Sequence, residues 1–220
     1  MKTETVVEAE PKVKVPPLTI KPPNFQKVTF KIKGLPGVPL VIHRKSAKFK
    51  AEFLQKMEGQ LKTQSKKNRE PKDSDVTYEE ARYRHKDGWD GFHAGAIRNA
   101  LISACRLVNF KMTLAKMSIF INADGADALE PQIPLVRIYG DPVRQDDWAN
   151  VETGQPYVTI RAAFFDWSAN ISIRWDGDQF TLADVTNLLS RVGLQVGLCE
   201  GRPDSKNSAG MGWGLFSVEL

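Results

Sequence analysis

Cysteine is scarce in this sequence: 220 residues contain only Cys105 and Cys199, each inside an apolar run. That excludes a disulfide scaffold and a cysteine-built zinc site, fits a reducing compartment, and leaves both thiols as expected core residues. Histidine is nearly as rare. His43, His85 and His93 stand alone, none in H-E-x-x-H or another ligand spacing, so no metal and no cofactor is expected. No window approaches ~18 consecutive apolar residues, so no membrane span and no membrane partner is expected. The first fifteen residues lack the apolar stretch and small-residue cleavage site of a secretory signal, which points to the cytoplasm.

Acidic residues are few in the first third of the chain. Residues 44–72 hold ten Lys or Arg against three glutamates, a net +7, and residues 1–43 are also cationic, with seven lysines against three glutamates. The whole chain carries only +5, so the remainder is net acidic. Such segregation is what a surface facing a polyanion requires, although a solvated basic helix would read the same way.

Residues 1–24 contain five prolines and too little apolar surface to offset the entropy of ordering, so they form an extended arm. Residues 25–220 read as a single α+β domain. Val28, Phe30 and Ile32 alternate with Thr29, Lys31 and Lys33, the period of a half-buried strand. Gly34–Gly37 is a turn and Pro39–Ile42 a second strand. Ser46 caps a helix over 47–62 whose expected buried stripe is Phe49, Phe53, Met57 and Leu61, followed by a basic polar loop over 63–76. Residues 77–92 read as a strand and turn, and 94–107 as a second helix. Strands are expected at Met117–Ile121 and Leu135–Tyr139, and a β pair at Tyr157–Phe165 and Ala169–Trp175 around an Asp166-Trp167 corner. Thr181 caps a third helix ending at Gly193, and Leu215–Glu219 is a terminal strand. This order suggests a ferredoxin-like (RRM-like) α+β sandwich with insertions.

The densest local feature is glycine. Gly193, Gly197, Gly201, Gly210, Gly212 and Gly214 fall in 22 residues between the last helix and the last strand, with Arg202 and Lys206 among them. Glycine permits close backbone approach and presents N–H groups to anions, but G-x-x-x-x-G-K-[ST] is absent, so this is no nucleotide-hydrolase phosphate loop. A hairpin packed closely on the sheet is the structural alternative. The placement resembles the glycine-rich loop of the RAMP superfamily, which includes the backbone subunits of CRISPR effector complexes. Gly210-Met211-Gly212 matches the second half of that family's Gly-apolar-Gly pattern. Gly197-Leu198-Cys199 departs from the first half, with Cys where Gly is usual. Phe92 to Leu101, through Gly95 and Arg98, is similar to the start of a helix in the backbone subunits. Arg161–Ser168 and Gly201–Pro203 also resemble short proteins of tailed phages. The resemblance implies single-stranded nucleic-acid binding, often as a multi-subunit filament, in a bacterial or phage-infected cell.

The residue chemistry agrees in kind. Arg44, Lys45, Lys48, Lys62, Lys66, Lys67 and Arg69 can track phosphates, and His93, Arg98, Arg202, Lys206 and Trp213 lie in the segments that carry the resemblance. Trp89, Phe92, Trp148 and Trp213 are candidate stacking platforms, with core packing as the competing role of each. Catalysis reads poorly. His43, beside Arg44 and Lys45, is the one general acid or base candidate, and the pairs Asp146-Asp147 and Asp176/Asp178 suit turns better than metals. The expectation is a nonenzymatic binder of single-stranded RNA or DNA that oligomerises through its arm. A phage-encoded interaction protein mimicking a CRISPR subunit and a metal-independent ribonuclease are the alternatives.

Overall fold

The computed structural model describes residues 20–44, 47–58, 73–150, 156–205 and 209–219. The long strand β1 (Phe25–Gly34) follows from its alternation. Phe30 and Ile32 are buried, while Lys27, Thr29, Lys31 and Lys33 face outward. It pairs antiparallel with β10 (Ser168–Asp176) along its whole length and, on its other side, with the terminal strand β11 (Phe216–Glu219). A short strand, β5 (Ile119–Asn122), extends the sheet beyond β10, so the spatial order is β11-β1-β10-β5.

Two helices belong to the buried core of this sheet. Helix α3 (Ala94–Ala104) starts where the His93 imidazole accepts the Gly95 N–H at 2.7 Å, and it buries Ile97, Leu101 and Ala104. Helix α5 (Leu182–Arg191) opens with a capping box in which Thr181 and Asp184 satisfy each other's backbone N–H groups, and it buries Val185, Leu188 and Leu189. These side chains form one cluster with Phe30, Ile32, Ile171, Ile173, Trp175 and Phe216. Each large side chain fully buried there contributes about 1.5–3 kcal/mol. Gly193 shows how tight the seam is, since a Cβ there would lie 2.2 Å from the Phe216 carbonyl.

Two smaller antiparallel sheets flank this unit. One has the order β2-β9-β8, from β2 (Leu40–Ile42), β9 (Pro156–Phe164) and β8 (Pro142–Asn150). The other has the order β3-β4-β7-β6, from β3 (Tyr83–Arg84), β4 (Asp90–His93), β7 (Pro134–Arg137) and β6 (Gly125–Ala126). The remaining helices are α1 (Ala47–Met57), α2 (Ser74–Glu80) and α4 (Met112–Ser118). Among the described residues, no helix is long and apolar enough to cross a membrane.

Several expectations need correction. The stripe on α1 is not buried: Phe53 is 56 % and Met57 72 % exposed. The four-residue spacing gave the helix but not a partner for it. Phe49 and Leu61 lie outside the described side chains. Residues 74–80, expected as loop and strand, are α2, because Asp73 accepts the N–H groups of Asp75 and Val76 and starts a helix. Met117 and Ser118 end α4, and the strand begins only at Ile119. Strands β9 and β10 exist but do not pair. Asp166, in left-handed conformation (φ 50), turns the chain from the β2-β9-β8 sheet into the central one. Helix α5 does not stop at Gly193. It runs on as a π turn over Val192–Val196, and Gly197 (φ 74) ends it.

Candidate nucleic-acid interface

The outward face of the central sheet is left to solvent among the described residues. Strand registry lays its side chains out in rows. Lys27 lies opposite Arg174, which lies opposite Phe120, and the next row is Thr29, Ser172 and Asn122. Then follow Glu219, Lys31 and Asn170, and finally Ser217, Lys33 and Ser168. From Lys27 to Lys33 the face runs ~20 Å at ~3.3 Å per residue.

One end of this face is built from aromatic rings and guanidinium groups. Phe25 and Phe120 meet edge to face with centroids 5.7 Å apart. The Arg174 guanidinium lies over both, 4.9 Å from the Phe25 centroid and 5.1 Å from that of Phe120. A second guanidinium, that of Arg98, sits 5.3 Å from the Phe120 centroid. Arg98 is fixed from α3 by donating its Nε to the Ile119 carbonyl at 2.9 Å and Nη2 to the Lys116 carbonyl at 2.5 Å. It therefore holds the ring and has little left to offer a ligand. Lys27 directly opposite Arg174 is a like-charge cross-strand pair, an arrangement that costs stability unless an anion relieves it. The middle row is uncharged: Asn122 donates to the Ser172 hydroxyl at 3.2 Å. Further along, Lys31 pairs with Glu219 at 2.7 Å, and this bond holds the Glu219 carboxyl below its usual range. Lys27 and Arg174 have no described carboxylate beside them, and Lys33 feels only Glu219, which is already paired with Lys31.

Of the residues the sequence singled out, Arg98 alone among the described ones joins this site. Arg44 is a correction. It is 3 % exposed and its Nη2 lies 3.1 Å from Asp127 and 3.0 Å from Glu130, so it is an interior ion pair and not a phosphate contact. Lys50 also donates to Glu130, and holds that carboxyl below its usual range. Phe92 is fully buried and likewise no stacking platform. Trp89 stacks on His85 at 4.4 Å, whereas Trp148 is 79 % exposed on β8. His93 is exposed but spends Nδ1 on the start of α3. His43 is exposed just past β2. Lys45, Lys62, Lys66, Lys67, Arg69 and Lys206 lie outside the described residues, as does the side chain of Lys48 and residues 1–19 of the arm.

The glycine-rich loop closes on itself. The Gly201 carbonyl accepts from both Met211 (2.7 Å) and Trp213 (3.2 Å), and Leu198 donates to Gly214 at 3.0 Å. The ring of Trp213 lies against Gly201, where φ is 65° and a Cβ would come within 2.2 Å of it. Arg202 donates to the Cys199 carbonyl at 2.8 Å. Asp204 ties the loop to the end of α3 by accepting from the Ser103 hydroxyl and from Arg106, and these bonds hold its carboxyl below the usual range. Arg202 and Trp213 are thus spent on loop structure. Desolvation pushes the Cys199 thiol up to about 12, which keeps it unreactive near neutral pH.

Asp146 accepts from Arg144, and Asp147 from Arg161 and Gln145, so these carboxylates serve strand β8. Among the described residues, no three of His, Cys, Asp and Glu come together to hold a metal ion. The lysines of the sheet face went unselected in the sequence. Their signal was present in the alternation of β1, whose polar positions were read only as the solvated side of a strand. No known family model matches this chain, and neither does any curated protein sequence.

Proposed function

We propose that the chain binds single-stranded nucleic acid on the outward face of its four-stranded sheet, without catalysing a reaction. The observation that carries this reading is the end of the face where Arg174 spans Phe25 and Phe120 with Lys27 opposite. Phe25 is exposed and Phe120 half-buried, so the ring surface left open by the guanidinium groups accepts stacked bases whatever their identity, and the cations beside it neutralise the phosphates between those bases. Thr29, Ser172, Asn122 and Asn170 offer hydroxyl and amide groups of the kind that bond to base edges. A duplex has no unstacked base to present to such a face.

The connectivity supports the same reading. The chain order β1, α3, β5, β10, α5, β11 with spatial order β11-β1-β10-β5 supports reading the central unit as a ferredoxin-like sandwich, a frame whose sheet face serves RNA in RRM domains. We read the two smaller sheets and α1 as insertions into it. The glycine-rich loop lies between the last helix and last strand of that frame, the position the RAMP resemblance requires. It contributes by fixing β11 in place, not by cradling phosphate.

The test is fluorescence polarisation with single- and double-stranded DNA and RNA at several salt concentrations. Single strands bind more tightly than duplex, and affinity falls as salt rises. Equal affinity for duplex, or binding indifferent to salt, contradicts the reading. A protein-binding role is the second reading, favoured by Phe53, Leu54 and Met57 exposed together on α1. It predicts that charge-neutral changes on α1, and not on β1, abolish partner capture.

A further inference from the structure

A groove of about 760 Å³ runs along the outer flank of α5, on a different element from the sheet face discussed above. Val108, Phe110, Phe180, Leu188 and Leu194 form an apolar strip in it, bordered by polar and charged side chains of α5 such as Asp184, Asn187 and Arg191. Leu194 is 61 % exposed and Val108 nearly half exposed, so the groove leaves aliphatic surface without a covering partner among the described residues. The Phe110 and Phe180 rings at its near end lie 4.6 Å apart.

The described chain begins close to this groove. The Asn24 carbonyl accepts the Gly177 N–H at 2.7 Å, and the Asn24 amide donates to Asp178 at 3.2 Å. The arm therefore leaves the domain at the turn that leads directly into Gln179 and Phe180, where the groove begins. Residues 20–24 run exposed, with Ile20 83 % accessible, and residues 6–18 precede them with Val6, Val7, Val13, Val15 and Leu18 spaced between prolines and charges. These aliphatic groups are too few to fold alone but suited to line a preformed groove, and the prolines lower the entropy lost on docking. Thirteen residues in polyproline geometry reach ~40 Å, against ~22 Å for α5 and its π-turn extension.

The segment 6–18 is net neutral, with Lys12 and Lys14 toward the point where the arm meets the domain and Glu8 and Glu10 farther from it. The groove lining carries Asp184 and Arg191, one charge of each sign, whereas the sheet face presents Lys27, Lys33 and Arg174. We propose that residues 6–18 of the chain's own N-terminal arm dock along the α5 groove, covering Val108 and Leu194 and leaving the sheet face open.

Cysteine pairs in the full-length chain test this. Val13→Cys with Leu194→Cys, under mild oxidation, gives an intramolecular crosslink seen as a faster-migrating monomer on a non-reducing gel. Val13→Cys with Thr29→Cys on the sheet face gives none. Cys105 is buried and does not compete for the crosslink, and half-buried Cys199 is replaced by serine in both pairs. In parallel, Leu194→Asp in the otherwise unaltered chain speeds tryptic cleavage at Lys12 and Lys14 about tenfold by opening the docked arm. Crosslinking only between copies assigns the groove to a second copy's arm and overturns docking within one chain. Equal crosslinking at position 29, no crosslink at all, or unchanged cleavage overturns it as well. None of these outcomes depends on whether nucleic acid binds.

Discussion

Arg44 and Arg174 carry the same charge and perform opposite tasks, and their surroundings decide which. Arg44 is enclosed beside Asp127, so it is fixed by a pairing that cannot be broken cheaply. Arg44→Ala strands the buried Asp127 carboxylate and lowers stability by about 3–5 kcal/mol in chemical denaturation, with oligonucleotide affinity unchanged while the protein is folded. Arg174 is exposed, with its plane over two rings and no carboxylate bound. Phe25→Ala and Phe120→Ala each remove a stacking surface worth ~1–3 kcal/mol and weaken single-strand affinity about tenfold. Polarisation titrations check this. Phe25→Ala lowers the thermal midpoint only modestly, since Phe25 is 42 % exposed and lies outside the buried core.

Among the elements, what was legible depended on whether local signals sufficed. Helices α3 and α5 were legible because apolar period and cap residues lie within a few positions of each other. Strand β1 was legible from its alternation alone. Strand β8 was not, because Asp146 and Asp147 read as turn residues and are held extended by pairing with β9. The β9–β10 corner was placed correctly, but which sheet each strand joins is decided by distant partners that no local pattern encodes. The proposed interface was illegible for the same reason: Phe25, Phe120 and Arg174 converge from three separated strands, and among its described residues Arg98 alone lay in a local motif. The glycine-rich loop yields its own test. The depressed carboxyl of Asp204 contributes stability that is present above its ordinary pKa of about 3.9 and is lost as pH falls through its lower folded value. Acidification below about pH 4 therefore loosens the loop from α3, followed by amide exchange around Trp213. Asp204→Asn removes that dependence.

At the scale of the whole molecule, the strand order puts both helices' buried faces on one side of the sheet and leaves cations and rings on the other. The sequence adds a cationic stretch, with Lys62, Lys66, Lys67 and Arg69 outside the described residues, and long-range attraction needs no fixed contact. Changing Lys62, Lys66, Lys67 and Arg69 together to alanine lowers the association rate more at low salt than at high, measured by stopped-flow with a labelled strand. The most direct test of the central claim places the sheet face itself under salt titration. Full-length protein and a Lys27→Ala, Lys33→Ala, Arg174→Ala variant are titrated with one labelled single strand across a salt series. The face predicts a linear fall of log affinity with log salt, and a slope shallower by about 2 in the variant, since each lost phosphate contact removes ~0.7. Parallel salt lines of equal affinity for the two proteins would contradict it.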